Sequence, residues 1–420
     1  SYDLDTNYIT VQAVTGIYST ALSELFYIDV DFGCAVSPGT PIELTATVLG
    51  LSIELNWIDK AAIETSYDIQ RSLTGTGGWT TIANIPKDSQ TYTDTSIDIN
   101  TTYYYRVKAL QTDGISSAYS NIVSNILSLE WTSRSASQVA TWADVDYGNV
   151  AFVAVGGSGK IMRSIDDGSS WSSITNTLNT MLIVKHGNSV WIGIEFSGDR
   201  RIGRSIDDGL TWSAVASASN DGQWRGHSYR SGLWVAVANS GASRTQISTD
   251  DGAIWSNIAA SEASSWQSVD SSASEWVAVA NSGTNRVMRS TDPETSWTSI
   301  VDAIAAAGSW VKIKEGNGIF VAIGSTNTNC LMRSTNGGQA WSLISGTDNA
   351  GGWNDITWDD NLNIFIVVGE SSSIISFNQG STWLPLDVAE DNSWEGVGYG
   401  NTTWVAVSDD GDNRVMTIDA

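Results

Sequence analysis

The chain has 420 residues, with 46 acidic against 21 basic side chains and a formal charge of −25, yet only 16% of its positions are charged. A surface this acidic repels phosphate backbones, which excludes general nucleic-acid binding, and no apolar run approaches the roughly 18 residues that a membrane-spanning helix needs. The 20 tryptophans against 5 prolines describe an ordered, sheet-rich protein, while 2 histidines and 2 cysteines exclude a His- or Cys-rich metal site, and no cofactor is expected.

The first residues, Ser1 to Asp5, carry neither the basic nor the apolar region of a secretory signal, and the expectation is a protein made in a cytoplasm and assembled or released later. Residues 1–37 hold two strand-like runs, Tyr8 to Val14 and Leu25 to Val30, but are too short for a core of their own. They read as an anchoring arm that pairs with a neighbouring subunit. Cys34 lies in this arm, far from Cys330, so two buried thiols are favoured over one long-range disulfide, which stays open.

From residue 38 to 128 the pattern becomes short alternating runs separated by turn signals: ELTATV, SIELNWI, TSYDIQRS, WTTIANI, TYTDTSI, TTYYYRVKAL and SNIVSNI. Strands this dense predict a β-sandwich. With Trp57 on the second strand, Tyr67 on the third and Tyr103-Tyr104-Tyr105-Arg106-Val107 on the sixth, the module resembles a fibronectin type III domain. That resemblance implies a core Trp57 and a tyrosine corner at Tyr103. Ser128 to Glu130 then form a short junction without Gly or Pro, which predicts a fixed orientation toward the C-terminal module.

Residues 129–420 are repetitive. The octamer SIDDGSSW at Ser164 to Trp171 recurs at 205–212, 248–255, 290–297, 334–341 and 376–383, with Asp166, Asp207, Asp250, Asp292, Asn336 and Asn378 at its third position, in steps of 41, 43, 42, 44 and 42 residues. An aromatic-led apolar run precedes each octamer, beginning at Phe152, Trp191, Trp234, Trp276, Phe320 and Phe365, and one more follows at Trp404. The surplus run resolves at the ends, where Thr417-Ile418-Asp419 begins another octamer and Trp131 supplies a strand that the repeat lacks. Four short strands per ~42 residues is a β-propeller period. The expected fold class is therefore all-β: a fibronectin type III-like sandwich plus a seven-bladed propeller closed by a blade shared between both ends.

The octamer resembles the Asp-box hairpin of sialidases, sortilin-type receptors, xyloglucanase-type glycosidases and the photosystem II assembly propeller. Its carboxylates therefore read as structural, Asp419 included: the Asp side chain accepts turn N–H groups, Gly takes the positive-φ position and Trp packs inward. The arginines before the octamer, Arg163, Arg204, Arg289 and Arg333, are expected to pair with neighbouring acidic groups. On the opposite face, the loops between second and third strands carry Arg201, Arg244, Arg286 and Arg414, an Arg-dotted rim read as the ligand-binding face. Glu195 stands where other repeats have Gly, Ala or Ser, and is the one candidate the repeat does not explain. Trp142, Trp224, Trp266, Trp310, Trp353 and Trp394 open the first strands, with Met181 in the remaining one, and read as inter-blade packing.

No sialidase Arg-Ile-Pro signature is present, and the pair of carboxylates roughly 5–10 Å apart that another glycosidase needs would have to be Glu195 with Asp199 or Glu370, which stays open. The reading is a non-catalytic display or adhesion protein without a metal. It resembles accessory components of tailed-phage virions: attached to other virion subunits through the arm, exposed on the virion surface, and presenting the propeller to a host-surface glycan or receptor. The alternatives are a secreted bacterial carbohydrate-binding or glycoside hydrolase protein and an assembly factor of the photosystem-propeller type.

Overall fold

The structure is a computed structural model that describes residues 37–419, apart from 50, 113, 196–201, 217–221, 326–329 and 348–351. The anchoring arm, Cys34 and Arg201 therefore lie outside the described residues, save for Ser37 at the arm's end. Cys330 is buried.

The strands Ile42–Leu49, Ser52–Ile58 and Thr91–Asp94 form one sheet of the N-terminal module; Thr80–Pro86, Ser66–Ser72, Thr102–Leu110 and Val123–Ile126 form the other. Strict alternation buries one face of Ser52–Ile58 and of Thr102–Leu110. Leu44, Ile53, Leu55, Trp57, Tyr67, Ile69, Tyr103, Tyr105 and Val107 fill the space between the sheets. The Tyr103 hydroxyl accepts the Asp98 N–H at 3.2 Å and donates to the Asp98 carboxylate at 3.1 Å, tying the strand to the turn five residues earlier. Buried Asp94 accepts from Arg71 at 2.8 Å and from the Tyr105 hydroxyl at 3.0 Å.

Among the described residues, 132–419 form seven four-stranded antiparallel sheets. Their inner strands are Trp142–Gly148, Met181–Gly187, Trp224–Arg230, Trp266–Ser271, Trp310–Gly316, Trp353–Asp359 and Trp394–Gly400, and each touches the next, the last returning to the first. The ring is a β-propeller, and its sheets are called blades one to seven in this order. The aromatic-led runs are the second strands, buried on both sides because every blade packs face to face with two neighbours. Val153 and Val155 of blade one, for example, pack with Trp191 of blade two. Blade seven takes Trp394–Gly400, Thr403–Ser408 and Val415–Asp419 from the C-terminal end and Thr132–Arg134 as its outer strand, in the register Val415 to Arg134 and Thr417 to Thr132.

The junction is buried at Leu127, Leu129 and Trp131. Leu51 and Ile99 of the sandwich pack against the core shared by blades six and seven, alongside Phe377.

Candidate functional site

The octamer turns are built alike. In blade one Ser164 donates to Asp166 at 2.8 Å and accepts the Gly168 N–H at 2.9 Å, Asp166 accepts the Ser170 N–H at 2.9 Å, and the Trp171 indole donates to the Gly168 carbonyl at 3.0 Å. The same bonds recur around Asp207, Asp250, Asn336 and Asn378. Two successive left-handed residues make the bend, Asp167 at φ 56 and Gly168 at φ 80, as in the two-residue turn that Asp-Gly favours. Asp419 sits at the end of a strand and accepts from Thr403 Oγ1 at 3.3 Å.

Blade four breaks the pattern for a covalent reason. Pro293 stands where a left-handed residue is needed, and a prolyl ring fixes φ near −65°. With Glu294 in place of Gly, the Trp297 indole N–H is buried without a partner. Pro293→Asp with Glu294→Gly is expected to stabilise the protein by about 1 kcal/mol by restoring turn and bond, read as a higher midpoint in thermal denaturation.

The arginines ahead of the octamers tie blades together. Arg163 Nε donates to the Asp208 carbonyl at 2.8 Å, Arg204 to Asp251 at 2.7 Å, Arg289 to Gly337 at 3.1 Å and Arg333 to Gln379 at 2.7 Å, each in the turn of the following blade. Carboxylate pairing accompanies this at Arg163–Asp208, 2.5 Å, and at Arg289–Glu275. The common partner is therefore a main-chain carbonyl rather than the expected acid.

The rim arginines do the same on the opposite face. Arg244 donates to the Asn239 carbonyl at 3.1 Å and to Ser264 of the next blade at 2.6 Å. Arg286 donates to the Gly308 carbonyl, and Arg414 crosses the ring closure to Ala140 at 2.6 Å. These three arginines therefore tie neighbouring blades, because loop carbonyls outside the sheets need donors.

Glu195 is 2% exposed and accepts from Asn179 at 3.1 Å. It lies opposite Met181, whereas the tryptophans at that position in the other blades face Gly156, Ala238, Ala280, Gly324, Gly369 or Ser408. A slimmer inner residue admits a larger partner, so the repeat does explain Glu195. The six tryptophans are at most 2% exposed, in the inter-blade cores, and form no aromatic mouth.

A cavity of about 430 Å³ lies in the channel. It follows the inner strands to their hairpin ends at Ser272, Ala273 and Asp360. Those hairpins bond the octamer turns, through Asn149–Asp208, Asn188–Asp251 and Asn401–Asp167, so the cavity opens on the Asp-box face and not on the Arg-dotted one.

Alternation along the inner strands aims every second residue at the channel. The carboxylates there bridge blades: Asp144 accepts the Val184 N–H at 2.9 Å, Asp146 that of His186 at 2.8 Å, Asp270 that of Glu315 at 2.8 Å and Asp355 that of Val397 at 3.0 Å. These amides lie on the free edge of each sheet and have no strand to pair with. Three lysines offset part of this negative charge, Lys185 at 3.7 Å from Asp146, Lys314 at 3.6 Å from Asp270 and Lys312 at 3.2 Å from Asp355. Burial works against the charge on Lys185 and Lys312, but the surrounding carboxylates outweigh it and raise both.

Burial pushes the Asp144 carboxyl up to about 6, against the pull of Lys312 and Lys185, and its Oδ1 has no hydrogen-bond partner. A group raised in the folded state gives stability that is full below its unfolded value, near 4, and is lost as the pH rises through about 6. Asp144→Asn retains an acceptor for the Val184 N–H and is expected to flatten the stability profile between pH 4 and pH 7, measured by denaturant titration at each pH. Asp166, Asp207 and Asp250 are lowered, by turn hydrogen bonds that overcome burial, so their contribution falls away only at lower pH.

His227 Nε2–H donates to the Ile192 carbonyl, 2.9 Å away, and burial lowers its pKa to about 3, so the ring is neutral at physiological pH. His186 belongs to a set of aromatics at the cavity mouth with Tyr147, Tyr229 and Trp358. Each fills the space that a Cβ would take on a glycine of the preceding blade: Gly148, Gly187, Gly316 and, for Tyr147, Gly400. The lysines escaped the sequence reading, although the run Val311-Lys312-Ile313-Lys314 in a chain so poor in lysine was a usable signal.

No family model matches the chain, and no curated protein matches it. Solved structures do. YCF48 bound to a D1 peptide aligns with a TM-score of 0.55 at 17% identity over 70% of this chain and 95% of that one. YCF48 from Cyanidioschyzon merolae aligns at 0.53 and 16%, over 69% and 98%. The Niastella koreensis GH74 enzyme aligns at 0.50 and 14%, over 89% and 67%. At these identities the likeness establishes the fold alone: the C-terminal ring is a β-propeller in an all-β chain.

Proposed function

We propose that the protein is a non-catalytic recognition module: a seven-bladed propeller of Asp-box type on a fibronectin type III-like sandwich, which takes its ligand into the channel cavity on the Asp-box face. The observation that carries this reading is the use made of the channel carboxylates. Asp146, Asp270 and Asp355 each hold a main-chain N–H of the next blade and neutralise a lysine. A carboxylate fixed in that way serves the ring and is poorly placed to move protons. Glu195 is buried beside Asn179. In the same reading residues 1–37 anchor the chain to other subunits of a larger assembly, with a virion surface as the setting and a host-surface glycan or receptor as the ligand.

The experiment is incubation with bacterial surface polysaccharides, sialyllactose and xyloglucan, following both retention and reducing ends. Retention without release is expected, and turnover abolished by Glu195→Gln or Asp270→Asn would overturn the reading. Removing residues 1–37 is expected to leave retention intact and to abolish incorporation into the particle; incorporation by the shortened chain would move the anchor elsewhere.

A further inference from the structure

We infer that the octamer turns of blades one, two and three form a docking surface for another protein, one that presents aliphatic side chains flanked by lysine or arginine. This surface is separate from the channel cavity, so its failure would leave the recognition reading standing.

The repeat supplies its own controls. At the second octamer position blades three, four and five carry Thr249, Thr291 and Thr335, exposed and polar. Blades one and two carry Ile165 and Ile206 there, exposed by 70% and 67%. Leu210 at the sixth position, 53% exposed, and Ile254 at the seventh, 71% exposed, stand where the other turns have Ser, Thr, Ala or Gln. Val150, 63% exposed, lies at the tip of the blade-one hairpin, whose Asn149 bonds Asp208 of turn two. The turns are joined: Arg163 beside turn one donates to the Asp208 carbonyl of turn two, and Arg204 beside turn two to the Asp251 carbonyl of turn three. Exposed apolar residues scattered singly are ordinary, but these five lie along one continuous arc, as at a protein-binding surface.

Blade six shows what covers such a position. Its second octamer residue, Phe377, is half-buried: with Leu51 and Ile99 of the sandwich it packs against the core of blades six and seven, and it shares a groove with Ile97. This turn position therefore takes aliphatic side chains from the loops of a neighbouring module. Charge defines the rest of the partner. Turns one to three hold Asp166, Asp167, Asp207, Asp208, Asp250 and Asp251 and no lysine or arginine, whereas turns five and six hold no carboxylate. Arg163 with Asp208 is their one ion pair among the described residues. A second copy of this chain would bring a further charge of −25, and residues 1–37 hold five acidic side chains and no basic one. Both are repelled here, where a basic partner is attracted.

The test is methyl NMR on the isoleucine-labelled full chain, titrated with an amphipathic helical peptide of leucine and lysine and with its leucine–glutamate and serine–lysine counterparts. The variants are Ile165→Ser combined with Ile206→Ser, and Val301→Ser, which alters a residue 89% exposed outside this arc. The leucine–lysine peptide is expected to shift the methyls of Ile165, Ile206 and Ile254 and not that of Ile69 in the sandwich core. The double variant, checked for an unchanged thermal midpoint, should bind it at least about tenfold more weakly, and Val301→Ser as tightly as the wild type. Full binding by the double variant, or no binding of this peptide by the wild type, would overturn the inference. Equal affinity for the serine–lysine peptide would overturn its aliphatic part, and equal affinity for the leucine–glutamate peptide its charge part. Shifts of the three methyls with protein concentration alone would assign the surface to a second copy, and shifts on removing residues 1–37 would assign it to the arm. Either result overturns the basic partner.

Discussion

Deleting residues 411–420 is expected to give a species that unfolds at low denaturant and aggregates. The deletion removes Val415–Asp419, which lies between Thr403–Ser408 and Thr132–Arg134 in the closing blade. Val415, Met416 and Ile418 are at most 2% exposed and belong to the cores on both sides of that blade. Burying three such side chains contributes about 6 kcal/mol, comparable with the total stability of an ordinary domain. The loss also opens two strand edges to pairing between molecules. Size-exclusion chromatography with denaturant titration would show it. A shortened chain that stays monomeric with an unchanged midpoint would mean that the C-terminal strand does not close the ring.

The second large effect is expected from a single methyl group. A Cβ on Gly396 would stand 2.6 Å from the Asp144 Cα and 3.1 Å from its carbonyl carbon. Blade seven and blade one meet there main chain to main chain, so neither side can yield by rotating a side chain. Gly396→Ala is expected to cost about 3 kcal/mol by overpacking, visible as a lower midpoint in urea with an unchanged slope. Gly232→Ala is the control: that glycine has φ +92 in an open hairpin with nothing within 4 Å of the added atom, so only the backbone preference is lost, about 1 kcal/mol. Equal losses would show that the blades do not approach so closely at the channel.

The repeat was legible because each blade buries its second strand on both faces and five of the seven bend at a turn that ends in Gly, so runs such as Phe152 to Gly156 and turns such as Asp166 to Gly168 return at the blade period. The site was not legible in the same way. Channel residues vary from blade to blade, with Asp144, Ile183, Gly226 and Lys312 at one equivalent position, and only the closed ring brings them together. The inter-blade bonds of the rim arginines were not legible, because a repeated arginine in a polar loop looks alike whether it meets a ligand or the carbonyl of the next blade. Glu195 could be set in its context only through its partner, Met181 across the strand pair. The left-handed residue before the octamer glycine also passed unnoticed, and it is what makes Pro293 disruptive.

The central claim is that the channel carboxylates serve as ties between blades, which leaves the lysines to face the cavity. Amide hydrogen exchange measured by NMR tests it most directly, at Val184, His186, Glu315 and Val397, whose N–H groups bond only to the carboxylates of the preceding blade. The account predicts slow exchange at all four in the wild type, and loss of protection at Glu315 alone in Asp270→Ala. Fast exchange at these amides in the folded wild type, like that of any open sheet edge, would contradict it.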